Sequence, residues 1–363
     1  MDTLWAKPMV RDTAALLRKP SLRVGRHVLW RATNALQSSA PHGGSAKSGS
    51  DVGGLILSVP LQKHAPLVSV VIGVYNHERF VEECLDSVVN GSYKHLELII
   101  ADDCSTDRSE VVIRRWRERH PEWPVTYVRH LKNIGFTKSL NTAIPLCRGE
   151  YICLIAADDV MLTDGIGARV RYLVQNPDKL AVFADCEVID ENGTMLFQSG
   201  IEGLYADVGL KKSRLLRETS LPSSLVFHWG VPGPVFMCRS ETYRIVGPYD
   251  EQLKVEDWDM YLRLAAIRRL GFIDEYVAKY RWFGGNASHN LGARKQHDQA
   301  MVARKHIRRL GLINGMRLSA IYLNYIALVR RSPIPKLFLL AFRNLLLLLS
   351  HRANQIREIA WRT

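Results

Sequence analysis

The chain has 363 residues, 47% hydrophobic and 23% charged, which suits one large globular domain with extensions. Its net charge of +13 is unevenly spread: residues 1–50 carry +6, residues 293–363 carry +12, and the stretch between them carries −5. Basic flanks suit nucleic acid, anionic lipid or plain solvation. No basic groove with aromatics and no nucleic-acid module is found, so no nucleic-acid partner is expected. The C-terminal flank is also strongly apolar, which favours a membrane surface. The six cysteines form no CxxC pair, so no zinc or redox motif is found, and several sit in apolar strand-like runs that suit buried thiols. With no secretory leader recognised, a reducing, cytoplasmic setting is expected.

In chain order, residues 1–37 read as weakly helical and basic, and the Ser/Gly-rich stretch 38–53 as a flexible linker. A domain boundary is therefore expected near residue 60, with a catalytic domain over 61–292 and a helical region over 293–363. From 67 onward the pattern becomes β-α-β. Strands are predicted over 67–74, 96–101, 125–129, 151–156 and 181–189. Helices are predicted over 78–89, from 105 or 107 to about 119, and over 135–146 and 164–175. This alternation predicts a mostly parallel sheet flanked by helices, with ligands at the carboxyl ends of the strands. No GxGxxG follows the first strand, which weighs against a dinucleotide-binding Rossmann domain. Helices are also expected over 316–331 and 334–359. The run 336–349 is the most apolar in the chain, but Arg343 and Asn344 interrupt it, and it is shorter than the ~20 residues a spanning helix needs. It reads as an interfacial helix, or as one packed on the domain.

Acidic residues recur where the apolar runs end. Asp102-Asp103 follows 96–100, Asp158-Asp159 follows 151–157, and Glu256-Asp257 with Asp259 opens a helix-like stretch. The first strand ends in Gly73, with Tyr75 and Asn76 beyond: close backbone approach, an aromatic face and an amide, which together suit a nucleobase. Carboxylates at the next strand end can accept a base N–H or ribose hydroxyls, and Ser105 or Asp107 can cap the helix that follows. Asp158 and Asp159 repel one another unless a hard cation such as Mg²⁺ or Mn²⁺ joins them and bridges diphosphate oxygens.

These three elements resemble, in order, spacing and residue type, the family 2 glycosyltransferases with the GT-A fold, over about residues 66–290. The resemblance implies an inverting transferase that takes a sugar from a nucleotide-diphosphate donor. It implies base contacts for Tyr75 and Asp103, a ribose or sugar contact for Asp158 and a metal ligand in Asp159. Ala157 stands where the first Asp of a literal D-x-D would be. The family's N-x-G segment matches Asn133 to Gly135, the following Asn matches Asn141, and Lys138 between them suits a phosphate as a point charge. Residues 255–264 are similar to the family's acceptor helix, which implies Asp257 as general base and Glu256, Trp258 and Asp259 on the acceptor side. The stretch 280–288 carries Phe283 where the family often has a histidine, so His289 or another group would have to replace it.

The expected donor is a nucleotide sugar, with UDP favoured as the commonest base in the family. The expected acceptor is a glycan or lipid-linked glycan at the inner face of the cell membrane, and bacterial surface polysaccharide synthesis is the pathway the analogy suggests. A sugar-nucleotide-binding scaffold without transfer, and a nucleotidyltransferase, are the alternatives. The scaffold does not need Asp257, and the nucleotidyltransferase would show a Gly-rich activating loop near the first strand.

Overall fold

The computed structural model describes residues 65–286, 292–328 and 336–360. The N-terminal extension and linker expected over 1–60, and His289, lie outside these residues.

The first strand, β1 (Val68–Val74), is buried at all seven positions because it lies between β2 (Leu96–Asp102) and β4 (Tyr151–Ala156) and is covered on both faces. A strand covered on both faces needs no polar alternation, which is why the sequence shows a continuous apolar run. Val70 and Ile72 face one core with Val81, Leu85 and Val88 of α1 (Val81–Val89) and Trp116 of α2 (Ser109–Arg119). Val71 faces the other core, with Leu140 of α3 (Phe136–Ala143) and Phe183 of β6 (Ala181–Ile189). Each fully buried aliphatic side chain of this kind contributes roughly 1.5–3 kcal/mol.

The remaining strands are β3 (Val125–Arg129), β5 (Val160–Met161), β7 (Met195–Phe197), β8 (Met237–Arg239) and β9 (Leu270–Arg281). The sheet order is β3-β2-β1-β4-β8-β6-β9-β5, with β7 paired to β6. The mostly parallel sheet that was expected holds from β3 to β4. Beyond β4 the sheet is mixed: β8 runs antiparallel to both β4 and β6, β5 and β7 are antiparallel to their neighbours, and β6–β9 is parallel. β8 is a three-residue return strand that reaches the sheet from a Pro-Gly-Pro loop rather than by a helical crossover, so its direction is reversed.

The other main helices are α4 (Gly165–Gln175), α5 (Leu221–Phe227), α6 (Glu256–Ala266), α7 (Gly292–His306), α8 (Leu312–Leu328) and α9 (Lys336–Ala360). The register sets the site. Val74 of β1 pairs with Asp102 of β2, and Gly73 pairs with Ala156 of β4. Asp103 and Asp158 therefore leave neighbouring strands on either side of Tyr75.

Candidate active site

The strand ends are held by their own backbone. The Asp103 N–H donates to Val74 O at 2.9 Å, and the Ala157 N–H donates to Gly73 O at 2.9 Å. Tyr75 is 44% exposed at the tip of β1 and presents a free aromatic face. Beside it, Asp102 is fully buried. It accepts from the Ser105 N–H at 2.8 Å and from the Tyr127 hydroxyl at 2.9 Å, so it belongs to the loop framework.

Asp103 is also buried, and its two carboxylate oxygens accept the Ile134 and Gly135 N–H groups at 2.8 Å each. Gly135 has φ of +89°, a conformation that L side chains rarely adopt, and this aims its N–H at the carboxylate. Asp103 thus fixes the entry to α3 against the end of β1. Asn76 is committed locally: its amide oxygen accepts from the Thr106 N–H at 2.8 Å. The expectation that Gly73 lets a nucleotide approach the backbone is corrected, because the space above it is taken by Phe136. A Cβ at residue 73 would lie 2.5 Å from that ring. Phe136, itself 44% exposed, adds an aromatic face that the sequence reading did not find.

At the end of β4, Asp158 and Asp159 are both buried. Loss of water contact, and then the charge of Asp158, push the Asp159 carboxyl well above the usual carboxylate range. Arg281 of β9 partly relieves this. Its backbone N–H donates to Asp159 at 2.9 Å, its Nε donates to the Asp158 carbonyl at 2.8 Å, and its guanidinium pairs with Glu83 at 2.6 Å. Asp158 also faces His77 at 3.9 Å and the Asn286 amide at 3.4 Å. His77 was not singled out from sequence, whereas Asn286 falls within the 280–288 stretch that was. Phe283 packs edge-on against Phe80, with ring centroids 5.3 Å apart, so the position of the family histidine supplies no polar ligand. Among the described residues no group of three or more His, Cys, Asp or Glu comes together to hold a metal. The pair Asp158–Asp159 nevertheless fits a hard divalent ion that keeps waters and substrate oxygens in its shell, since the two carboxylates crowd each other out of water.

The third acidic element opens α6. Glu256 is pushed up to about 7, first by loss of water contact and then by the charge of Asp257. Asp257 is pushed up to about 6 by loss of water contact, against the Trp258 N–H that it accepts at 2.7 Å and the nearby charge of Lys295. Tyr205, Tyr249 and Tyr261 all feel its charge. A carboxylate tuned to about 6 is ionised near neutrality and still basic enough to take a proton.

Two acceptor-side expectations are corrected here. Trp258 is buried, and its indole N–H donates to the Leu225 carbonyl at 3.0 Å. Asp259 is fully buried, and its carboxylate is consumed by His306 at 2.7 Å, Lys305 at 2.9 Å and Arg263 at 3.1 Å. These partners hold it down at about 2 against the burial that would raise it. Both residues build the helix seat and present nothing to an acceptor. Lys138 is exposed on α3. It lines a polar groove of about 480 Å³ with Asn141 and residues 248–252, where Asn141 accepts the Tyr249 N–H at 3.1 Å.

The family model described as glycosyl transferase family 2 matches residues 69–222. An uncharacterized glycosyltransferase of Methanocaldococcus jannaschii is 28% identical over 220 residues, which are 60% of this chain and 71% of that relative. The chondroitin synthase of Escherichia coli is 24% identical over 251 residues, 69% of this chain and 34% of the synthase. Among solved structures, the mannosyltransferase PcManGT from Pyrobaculum calidifontis, in complex with GDP-Man and Mn²⁺, has a TM-score of 0.55 at 20% identity, covering 80% of this chain and 76% of that one. It shares the mixed α/β sheet flanked by helices.

Proposed function

Because this chain is a family 2 glycosyltransferase, we propose that it is an inverting one, moving a sugar from a nucleoside-diphosphate donor to a hydroxyl of a glycan acceptor. The observation that carries the reading is Asp257, a carboxylate tuned to about 6 at the start of α6 and kept free of the ion pairs that hold Asp259. A sugar hydroxyl is a weak nucleophile. Asp257 takes its proton as the acceptor oxygen bonds to the anomeric carbon and the bond from that carbon to the diphosphate breaks. One displacement inverts the anomeric centre, and no covalent enzyme intermediate is needed.

On the donor side, Tyr75 offers the base an aromatic face, and Asp103 holds the 133–135 loop beside it. Asp158 and Asp159 are the residues to hold Mn²⁺ or Mg²⁺, whose charge, when bound, stabilises the departing diphosphate. Lys138 is the candidate for a phosphate contact. UDP is favoured as donor base only by its frequency in the family, and solved neighbours bound to GDP-Man and to UDP-GlcNAc support a nucleoside-diphosphate sugar of either base.

Asp257→Asn tests this reading. Turnover is expected to fall by roughly 10²–10⁴, the usual contribution of a general base, with nucleotide affinity unchanged in calorimetry. Turnover at the wild-type rate would overturn Asp257 as the base, and a wild-type protein that binds nucleotide but turns over none would be a binding protein without transfer.

The likeness to chondroitin synthase supports a polysaccharide acceptor. Placement at the inner membrane face is supported by α9. Leu339 and Ser350 of this helix are buried, whereas Phe338, Phe342, Leu345, Leu348, Leu349 and Ile356 are exposed. Among the described residues no helix is long and apolar enough to cross a membrane. Anionic lipid attracts each basic residue near its surface by about 1 kcal/mol, so the +12 of residues 293–363 reinforces the apolar stripe. Removing residues 332–363 is expected to move the protein from the membrane to the soluble fraction. Unchanged partition would refute the placement.

A further inference from the structure

By sequence α7 belongs to the basic C-terminal flank, yet it grips the segment that carries Glu256 and Asp257 from both sides. Before the pair, Asp298 of α7 accepts the Lys254 N–H at 2.7 Å. That carboxylate is fully buried and is held in turn by Arg294 Nε at 2.9 Å and His297 Nδ1 at 2.8 Å. Arg294 also donates to the Gln252 carbonyl. Lys305 spans the pair, reaching Asp250 before it at 3.2 Å and Asp259 after it at 2.9 Å, and the buried His306 reaches Asp259 at 2.7 Å. The grips fall on residues 250, 252, 254 and 259 and leave the two carboxylates spanned between them. α7 also brings Lys295 close enough for its charge to act on Asp257, and Lys295 makes no ion pair among the described residues.

We propose that Asp298 is a positioning residue for sugar transfer. By receiving the Lys254 N–H it fixes the entry to α6, and with it the place where the Asp257 carboxylate meets the acceptor hydroxyl. The inference rests on Asp257 as general base and extends the catalytic unit into the C-terminal helices. A backbone N–H bonded to a buried carboxylate is a strong, charge-assisted anchor. It lies three residues before Asp257, where a small shift of the chain becomes a shift of the carboxylate. Misplacement of a reacting group by about 1 Å can cost about 10²-fold in rate.

The test uses Asp298→Ala in the full-length enzyme. Turnover per nucleotide-binding site is expected to fall roughly 10- to 100-fold, with the Kd for nucleoside diphosphate unchanged. The acidic limb of the rate–pH profile is also expected to move to higher pH. Asp257 is faced by Glu256, Tyr205, Tyr249, Tyr261 and Lys295; the Trp258 N–H and Lys295 hold its pKa down, so a carboxylate moved off these partners while still kept from water binds its proton more tightly. A role confined to stability would lower Tm and the fraction of binding-competent protein. It would leave turnover per site and the pH profile as in wild type, and that result overturns the proposal. His306→Gln loosens the far grip and is expected to shift both readouts the same way by less, so the claim stays open to refutation if Asp298→Ala does not fold. Asp257→Asn is measured first: full turnover there would overturn the base assignment itself, independently of Asp298.

Discussion

The donor side and the acceptor side of this site are built differently. On the proposed donor side the carboxylates and Tyr75 sit at the ends of three neighbouring parallel strands, and the carboxylates are held by the loop before α3 and by Arg281 at the end of another strand, β9. Asp103 fixes Ile134 and Gly135, and β1 hydrogen-bonds directly to both flanking strand ends. On the acceptor side the carboxylates sit on one helix, and what holds them comes from α7, about 40 residues further along the chain. An acidic residue at a buried strand end usually faces a crevice, because the strand itself fills the core. An acidic residue on a helix faces whichever way the helical period turns it.

The sharpest test of the donor half is Asp159→Asn. It removes the charge that crowds Asp158 and, with it, the proposed metal ligand. Turnover is expected to fall by more than about 10²-fold, since metal stabilisation of a leaving group is worth several kcal/mol. Thermal stabilisation by Mn²⁺ plus nucleotide is expected to vanish. A preserved Mn²⁺-dependent shift would move the metal away from this pair.

On the acceptor half, Asp259→Ala is expected to act first on stability. It leaves Lys305, His306 and Arg263 without their buried partner, a loss on the order of 3–5 kcal/mol that shows as a large drop in Tm. The wild-type protein should show the same ion cluster on acidification. Asp259 titrates at about 2 when folded, below its ordinary value, so its stabilisation is complete above about pH 4 and is lost as pH falls toward 2. An Asp259→Ala protein with wild-type Tm would erase the contrast drawn between Asp257 and Asp259.

The smallest effect is expected from Glu256→Gln, and it has the opposite sign. Glu256 is pushed up to about 7, so its ionisation works against the folded state as pH rises from about 4.5 through 7. The variant is expected to be more stable than wild type at pH 8, with a Tm higher by a few degrees, and to match it at pH 4. Equal Tm values at both pH values would show that Glu256 is not held away from water.

The strand ends were legible because burial and chemistry leave distinct marks there: an apolar run, then carboxylates. Tyr75 and the Asp158–Asp159 pair sit where that pattern placed them. Gly73 misled because a glycine records that something comes close to the backbone, not what comes close, and here it is the Phe136 ring. The acidic run of α6 misled for a geometric reason. Residues 257 and 259 lie about 200° apart around a helix, so one of them turns toward the interior. Asp257 remains at the site, and Asp259 enters a fully buried ion cluster. Counting helical period within the run would have separated them. Nothing local in the sequence marks Asp298, whose role arises from a contact 44 residues away.

The grip of α7 on α6 also bears on where this chain can be shortened. The catalytic-domain boundary expected from the sequence near residue 292 invites an expression boundary there. A protein ended at that point would leave the Asp259 carboxylate without two of its three cationic partners and the Lys254 N–H without an acceptor. Such a product would keep every strand-end carboxylate, and could bind nucleotide well, while its acceptor helix had lost its splint. Soluble, nucleotide-binding, inactive protein is the expected phenotype of that cut, and it would easily be mistaken for the wrong donor or a missing acceptor.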